Sequence, residues 1–267
     1  MSKLKVLDLF SGIGGFSLGL ERTGGFETVA FCEIEEFPRR VLAKHWPDVP
    51  CYKDVRALSA DQLRADGIAV DVICGGFPCQ DLSFAGRGEG LQGERSGLWS
   101  EIARLAREIR PAVIVVENVT ALLHRGMGVV LGDLAALGYD ADWDCIRASE
   151  LGAPHHRDRV WLVAHRGEIG WNWPGLDPVA EDVICARSQW TAAPFGDWRD
   201  VVDWLESVDA AHLWEAADAS YRGMDDGVLR GLDSPSIGAC GNAVVPQIPE
   251  LIGRAILASI EAERLVA

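Results

Sequence analysis

The stretch VDVICGGFPCQ, from Val70 to Gln80, decides the expected fold. Its apolar first half, Val70 to Cys74, predicts a buried strand, and Gly75-Gly76 with Pro78 predicts a turn that leaves the sheet in a fixed direction. In α/β proteins the chemistry lies at such carboxyl ends of strands. Cys79 follows this turn and is the candidate nucleophile, although a lone cysteine is more often a small buried apolar residue than a reactive thiol.

Strand-like and helix-like segments alternate on both sides of this stretch. The predicted strands are Lys5 to Phe10, Thr28 to Glu33, Cys51 to Val55, Val70 to Cys74, Ala112 to Glu117, Tyr139 to Arg147 and Arg159 to Ala164. The predicted helices are Gly14 to Thr23, Phe37 to His45, Ser59 to Ala65, Leu98 to Ile109, Val119 to Leu137 and Val245 to Glu263. This alternation predicts an α/β fold, with a parallel sheet covered by helices on both faces.

Three further clusters accompany Cys79 in a fixed order. They are DLFSGIGG from Asp8 to Gly15, VVENV from Val115 to Val119, and GNAVVPQ from Gly241 to Gln247. Together these motifs resemble the cytosine-C5 DNA methyltransferase family. The resemblance covers Leu4 to Arg166 and Gly238 to Gly253. It implies a Rossmann-like S-adenosylmethionine-dependent methyltransferase fold, a mostly parallel sheet with an antiparallel strand, accompanied by a small target-recognition domain.

The first cluster predicts a cofactor pocket. Its glycines let a ligand approach the backbone at the start of a helix. Glu33 follows about 20 residues later at the end of the second predicted strand, where its carboxylate suits a ribose diol. A nicotinamide dinucleotide and S-adenosylmethionine both contain a ribose. These residues alone therefore do not decide between the two cofactors.

The resemblance favours S-adenosylmethionine. Eight residues match family positions in or beside the cofactor pocket: Phe10, Gly12, Gly14, Glu33, Ile34, Asp54, Pro78 and Asn242. It implies that Glu33 binds the ribose hydroxyls, that Ile34 faces the adenine and that Asp54 meets the adenine amino group. Asn242 would complete the pocket beside the first glycine loop. Taken alone, Asp54 is equally well explained as a solvated loop acid.

Methylation of cytosine at C5 explains why a cysteine and an acid are needed. The ring carbon C5 does not attack a methyl sulfonium readily, but addition of a thiolate at C6 makes C5 enamine-like. Cys79 suits that addition, and Glu117 could donate a proton or strong hydrogen bond to N3 of the ring. The structural alternative for Glu117 is an acid that caps the following helix.

The segment APHHRDRVW, from Ala153 to Trp161, resembles the family's Gln-x-Arg-x-Arg motif. The resemblance implies that Arg159 contacts the cytosine or the nucleophile and that Arg157 supports the loop or binds phosphates. His155 stands where glutamine is usual. A surface salt bridge with Asp158 or Glu150 is the structural alternative for these arginines.

The segment from Gln80 to Gly97 is rich in glycine and includes Arg87 and Arg95. Cytosine in a duplex is shielded on both faces of its ring, so the enzyme must flip the base out before Cys79 can reach C6. We expect this segment to close over the DNA, with Gln80 among its contacts. An ordinary surface loop is the alternative.

The composition predicts a folded cytoplasmic protein. Its 267 residues, 48% of them hydrophobic, suit one large domain or one with a small insert. No apolar run reaches the roughly 18 residues of a membrane span, and the chain starts directly with a strand rather than a signal peptide. The seven cysteines contain no C-x-x-C pair, so neither disulfides nor a metal site are indicated. We expect a monomer.

The charge distribution divides the chain. The formal net charge of −15 opposes DNA binding in bulk, although arginines lie near the expected site. From Arg166 to Asp233 there are five arginines, fourteen acidic residues and six of the ten tryptophans. We predict a catalytic and cofactor-binding domain over residues 1–165, a target-recognition domain over 166–234 and a returning C-terminal segment and helix over 235–267.

The predicted function is that of a DNA (cytosine-5-)-methyltransferase acting on duplex DNA, in restriction-modification or as an orphan or phage enzyme. Methylation of transfer RNA is an alternative with the same active-site layout. A cofactor-binding regulator or catalytically weak DNA-binding relative is a second alternative, and a nicotinamide-dependent oxidoreductase is a third. The last leaves the Pro78-Cys79-Gln80 motif without a purpose.

Overall fold

A seven-stranded sheet forms the centre of the protein. The computed structural model describes residues 2–78, 97–151, 157–166 and 243–264. The strands are β1 (Leu4–Leu9), β2 (Phe26–Cys32), β3 (Cys51–Tyr52), β4 (Val72–Gly76), β5 (Val113–Val119), β6 (Tyr139–Arg147) and β7 (Asp158–Arg166). Their order in the sheet is β3-β2-β1-β4-β5-β7-β6.

The sheet is mostly parallel, as predicted. β1 pairs in parallel with β2 and β4, and β4 pairs in parallel with β5. β7 runs antiparallel to both β5 and β6, which confirms the single antiparallel strand. The strand order reverses direction between β1 and β4, and ligands of open α/β sheets bind at the carboxyl ends of the strands beside such a reversal.

Helices cover both faces of the sheet. They are α1 (Gly15–Arg22), α2 (Glu36–His45), α3 (Ala60–Ala65), α4 (Gly97–Ile109), α5 (Leu122–Arg125), α6 (Met127–Ala136) and α7 (Gln247–Arg264). On one face α1 and α7 bury Phe16, Leu20, Ile252 and Ile256 against the strands. On the other face α3, α4 and α6 contribute to a second core. The inner strands β4 and β5 are therefore buried on both sides, which explains their nearly continuous apolar runs, whereas the edge strand β6 is polar and largely exposed.

The C-terminal helix returns to α1, as the sequence predicted. Gly15 and Gly19 of α1 lack the side chains that would block this approach. A Cβ atom would lie 2.3 Å from the Val244 carbonyl oxygen at Gly15 and 2.1 Å from the Pro246 carbonyl oxygen at Gly19. The backbone of residues 244–246 consequently lies directly against α1.

Several predicted element boundaries were wrong. The predicted third strand, Cys51 to Val55, is only Cys51–Tyr52. The predicted helix from Val119 to Leu137 is two helices, α5 and α6, because Gly126 leaves the helical conformation with φ −158° and ψ −9°. The predicted fourth strand does not end at Cys74 but continues through Gly75 and Gly76. Glycine is needed at both positions, because Leu9 and Glu117 of the neighbouring strands lie where a side chain would be.

The predicted target-recognition domain over 166–234 lies outside the described residues, apart from Arg166 at the end of β7. Among the helices that the structure describes, none is long and apolar enough to span a membrane.

Candidate active site

The end of β4 is built around two glycines. A Cβ atom on Gly75 would lie 2.4 Å from the carbonyl oxygen of Leu9, and one on Gly76 would lie 2.8 Å from Oε2 of Glu117. Gly75 and Gly76 therefore allow the first and fifth strands to bring their groups close to β4. Pro78 is exposed at the end of this described stretch. The predicted residues Cys79 and Gln80 lie outside the described residues.

Glu117 and Arg159 form a mostly buried ion pair beside these glycines. Arg159 Nε lies 2.9 Å from Glu117 Oε1, and the two side chains are 23% and 12% exposed. The pair results from the antiparallel register of β5 and β7, in which Val119 lies opposite Arg159. Glu117 thus points into the site rather than capping the next helix.

Burial and two neighbouring arginines shift the pKa of Glu117 in opposite directions, and burial has the larger effect. Burial raises the pKa of Glu117, while the guanidinium groups of Arg159 and Arg157 oppose that rise. Burial also lowers the pKa of Arg157, with a further contribution from Arg159. Arg157 has a positive φ of 33°, which is uncommon for a residue with a side chain. The structure therefore brings Glu117, Arg157 and Arg159 into one electrostatic cluster.

Asn118 connects the end of β5 to the segment that follows β4. Its Nδ2 donates to the Phe77 carbonyl oxygen at 2.9 Å, and its Oδ1 accepts from the Val119 backbone N–H at 2.9 Å. Asn118 is 2% exposed. No role could be predicted for Asn118 from the sequence, because a contact between side chain and backbone over 41 residues leaves no sequence pattern.

The predicted glycine loop has the backbone of a ligand-binding turn. Phe10, Gly12 and Gly14 all have positive φ, at 54°, 53° and 88°. A Cβ atom on Gly12 would have no atom within 4 Å, so open space adjoins this residue. At Gly14 the same atom would lie 2.7 Å from the Trp46 ring. The loop is therefore closed on the side of α2 and open at Gly12.

Glu33 lies under this open space. Its Oε2 accepts from the Gly12 backbone N–H and its Oε1 from the Glu35 backbone N–H, both at 2.8 Å. Burial raises the pKa of Glu33, whereas these backbone hydrogen bonds oppose the rise. Each carboxylate oxygen has a second lone pair that could accept from a ribose hydroxyl.

Two residues that the sequence analysis did not single out support the loop. Ser11 Oγ donates to the Asp8 carbonyl oxygen at 2.6 Å and accepts from the Cys32 backbone N–H at 3.2 Å. Asp8 is fully buried, and its Oδ2 accepts from Ser17 Oγ at 2.7 Å. Burial raises the pKa of Asp8 to about 8. These contacts connect β1, α1 and β2 beneath the glycine loop.

The adenine side of the predicted pocket contains Ile34 and Asp54. Ile34 is 57% exposed, which suits an apolar residue that faces a ligand. Asp54 accepts from Arg56 Nε at 3.0 Å and from Arg56 Nη2 at 2.8 Å. These hydrogen bonds lower the pKa of Asp54. Asn242 and His155 lie outside the described residues, although the neighbouring Val244 contacts Gly15 after the glycine loop.

The two groups of residues lie at the same edge of the sheet. Leu9, which precedes the glycine loop, pairs with Gly75, and Gly76 pairs with Glu117. The carboxyl ends of β1, β4 and β5 are therefore level. This arrangement places the glycine loop, with its open space at Gly12, at the same edge of the sheet as the buried acid Glu117, and it is suited to transfer of a group between a cofactor and a second substrate.

Comparisons with known proteins agree with this geometry. A family model described as C-5 cytosine-specific DNA methylase matches residues 4–195. The Type II methyltransferase M2.BsuMI of Bacillus subtilis is 37% identical over 169 residues, which are 60% of this chain and 42% of the relative. The Type II methyltransferase M.HgiBI of Herpetosiphon aurantiacus is 32% identical over 176 residues, which are 64% of this chain and 39% of the relative.

A solved structure supports the same fold. The crystal structure of a candidate DNA modification methyltransferase encoded within an Escherichia coli prophage has a TM-score of 0.54 and 28% sequence identity. The match covers 64% of this chain and 49% of that one. The chain spans about two fifths of the length of the curated relatives it matches.

Proposed function

Because the chain belongs to the C-5 cytosine-specific DNA methylase family, we propose that it transfers a methyl group from S-adenosylmethionine to C5 of a flipped-out cytosine in duplex DNA. The observation that carries this proposal is the buried Glu117 carboxyl, which lies against Gly76 and is paired with Arg159. Gly76 is three residues before Cys79 in the sequence, so the proposed nucleophile follows closely after the residue that contacts the acid.

The described residues fit the cofactor. The open space at Gly12 and the free lone pairs of Glu33 suit a ribose, and the exposed Ile34 and the Asp54 carboxylate suit an adenine. When bound, S-adenosylmethionine would supply the electrophilic methyl group and leave as S-adenosylhomocysteine. The pocket would be lined by Phe10, Gly12 and Gly14 and completed by Asn242. Pro78 would lie beside the adenine.

Glu117 acts in this mechanism as the acid that activates the ring. Arg159 engages Oε1, whereas Oε2 faces Gly76 and is the oxygen that would carry a proton and donate it to N3 of cytosine. The Cys79 thiolate then forms the S–C6 bond, and the electron pair of the C5–C6 double bond shifts to make C5 nucleophilic. Arg159 and Arg157 hold the carboxylate that remains.

The reaction is completed by elimination. After C5 has gained the methyl group, its proton leaves to water, the C5–C6 double bond re-forms and the S–C6 bond breaks. The proton on N3 returns to Glu117, so the protein is restored. Gln80 and the segment that follows it would contact the DNA while the base is out of the stack. The segment over 166–234 would read the recognition sequence.

The proposed biological role is modification of DNA, either beside a restriction nuclease or as an orphan or phage enzyme. The similarity to the Type II methyltransferases M2.BsuMI and M.HgiBI supports this role. The test is transfer of a labelled methyl group to duplex DNA and to transfer RNA in parallel. We expect label in DNA at C5 of cytosine. Label in RNA alone would show the alternative substrate, and binding of cofactor without transfer to either would contradict the proposal.

A further inference from the structure

The loop between β3 and α3 is attached to α4 by one arginine. Arg104 Nη2 donates to the Val55 carbonyl oxygen at 3.0 Å and to the Leu58 carbonyl oxygen at 2.8 Å. The side chains of Val55 and Leu58 are themselves buried in the core. This loop spans residues 53–59 and includes Asp54, the residue proposed to meet the adenine amino group.

Two acids of α4 orient the Arg104 guanidinium. Its Nε donates to Glu101 Oε2 at 2.7 Å, and its Nη1 donates to Glu108 Oε1 at 2.9 Å. Glu101 and Glu108 lie three residues before and four residues after Arg104, so one face of the helix supplies all three side chains. The planar guanidinium thus makes four directed contacts, which a lysine ammonium could not reproduce.

The far end of the loop is attached to the same cluster. Glu108 Oε2 accepts from the backbone N–H of Ala60, the first residue of α3, at 3.0 Å. Within the loop the Asp54 carbonyl oxygen accepts from the backbone N–H groups of Ala57 and Leu58 at 3.0 Å and 3.2 Å. Arg104 therefore holds the turn whose first residue is Asp54, although it does not touch Asp54.

We propose that Arg104 is a positioning residue for the adenine end of the cofactor site. By binding the Val55 and Leu58 carbonyl groups it holds the loop against α4. This contact sets the position of the Asp54 carboxylate relative to Glu33, the residue proposed to bind the ribose. The inference rests on the proposed function, because it requires that Asp54 recognises the adenine amino group. It predicts that loss of Arg104 weakens recognition of that amino group specifically.

The test compares Arg104→Met with Arg64→Met. Arg64 is the matched control because it also forms an ion pair three residues apart on a helix, to Asp61, but is 67% exposed. Calorimetry without DNA measures the Kd of S-adenosylhomocysteine and of S-inosylhomocysteine, which lacks the amino group. In the wild type we expect tighter binding of the adenosyl ligand. In Arg104→Met we expect about a tenfold loss of affinity for that ligand, little change for the inosyl ligand, and kcat at saturating cofactor within about threefold.

A purely structural role would give a different result. Equal weakening of both ligands, or an unchanged Kd with a lower Tm, would overturn the proposal. If Arg104→Met does not fold, Arg104→Lys and Glu101→Gln replace it, and both are expected to reduce the preference for the adenosyl ligand; an unchanged preference would overturn the proposal equally. Failure of the wild type to bind either ligand would instead contradict the proposed function.

Discussion

A Cβ atom on Gly76 would lie 2.8 Å from Oε2 of Glu117, so these residues are side by side at the carboxyl ends of β4 and β5. Any side chain larger than hydrogen at position 76 must displace the acid. The glycine is therefore part of the geometry of the site and not only the end of a strand.

Substitution of Gly76 by alanine should reduce activity while the protein remains folded. The added methyl group pushes the Glu117 carboxyl away from its place, and we expect kcat for methyl transfer to fall by about 10²-fold, since small misplacements of catalytic groups have effects of this size. Gly132→Ala is the control. A Cβ atom there has no neighbour within 4 Å, so this change on helix α6 should stabilise the protein by about 0.5–1 kcal/mol and leave kcat unaltered.

Glu117→Gln should remove the acid without changing its shape. We expect kcat to fall by about 10²- to 10⁴-fold, because general acid catalysis contributes that range. Since burial raises the pKa of Glu117 and the mechanism requires its protonated form, wild-type kcat should decline as the pH rises through that raised value. Arg159→Met removes a charge that opposes the rise, so this decline should move to higher pH. A pH profile of kcat that is the same in the wild type and in Arg159→Met would contradict the assignment of Glu117 as the acid.

Asn118→Ala should separate catalysis from cofactor binding. It leaves the Phe77 carbonyl oxygen without its hydrogen bond, two residues before Cys79, and an unsatisfied buried group costs about 1–3 kcal/mol of stability. We expect a lower Tm and a reduced kcat, with the Kd of S-adenosylmethionine within about twofold of the wild type, because the hydrogen bonds of Asn118 go to Phe77 and Val119 and not to the glycine loop. A weakened cofactor Kd with normal kcat would show that Asn118 acts on the other half of the site.

Asp8→Asn should change how stability depends on pH. Burial raises the pKa of Asp8 from 3.8 to about 8, so between these values the folded protein keeps a proton that the unfolded chain has lost. The free energy of unfolding should then fall as the pH rises through this window and level off above it. Urea unfolding at pH 5 and pH 8 measures the slope. It should be smaller in Asp8→Asn than in the wild type, and unchanged in Asp61→Asn, whose side chain is 86% exposed.

The sequence predicted the strands and the fold because apolar periodicity and glycine punctuation are local signals. The same local signals predicted the wrong end for β4, because a glycine pair usually marks a turn. Gly75 and Gly76 instead continue the strand beside Leu9 and Glu117. It also joined α5 and α6, since the apolar pattern gave no sign that Gly126 leaves the helix.

The candidate site was only partly accessible from sequence. Glu33 and Glu117 could be found because each follows an apolar run in the sequence, and the family resemblance implied their roles. Arg104 and Asn118 could not, because each bonds to backbone carbonyl groups more than 40 residues away. Such contacts depend on which segments the fold brings together, and a side chain that donates to a carbonyl group requires no particular residue type in its partner.

The most direct test of the central claim is covalent trapping at Cys79. Duplex DNA that contains 5-fluorocytosine at the methylated position, incubated with S-adenosylmethionine, should form a complex that survives denaturation, because fluorine cannot leave C5 as a cation and the S–C6 bond cannot break. Mass spectrometry should locate the adduct on Cys79, and Cys79→Ala should neither form it nor transfer a methyl group to ordinary DNA. Methyl transfer by Cys79→Ala at the wild-type rate would contradict the account.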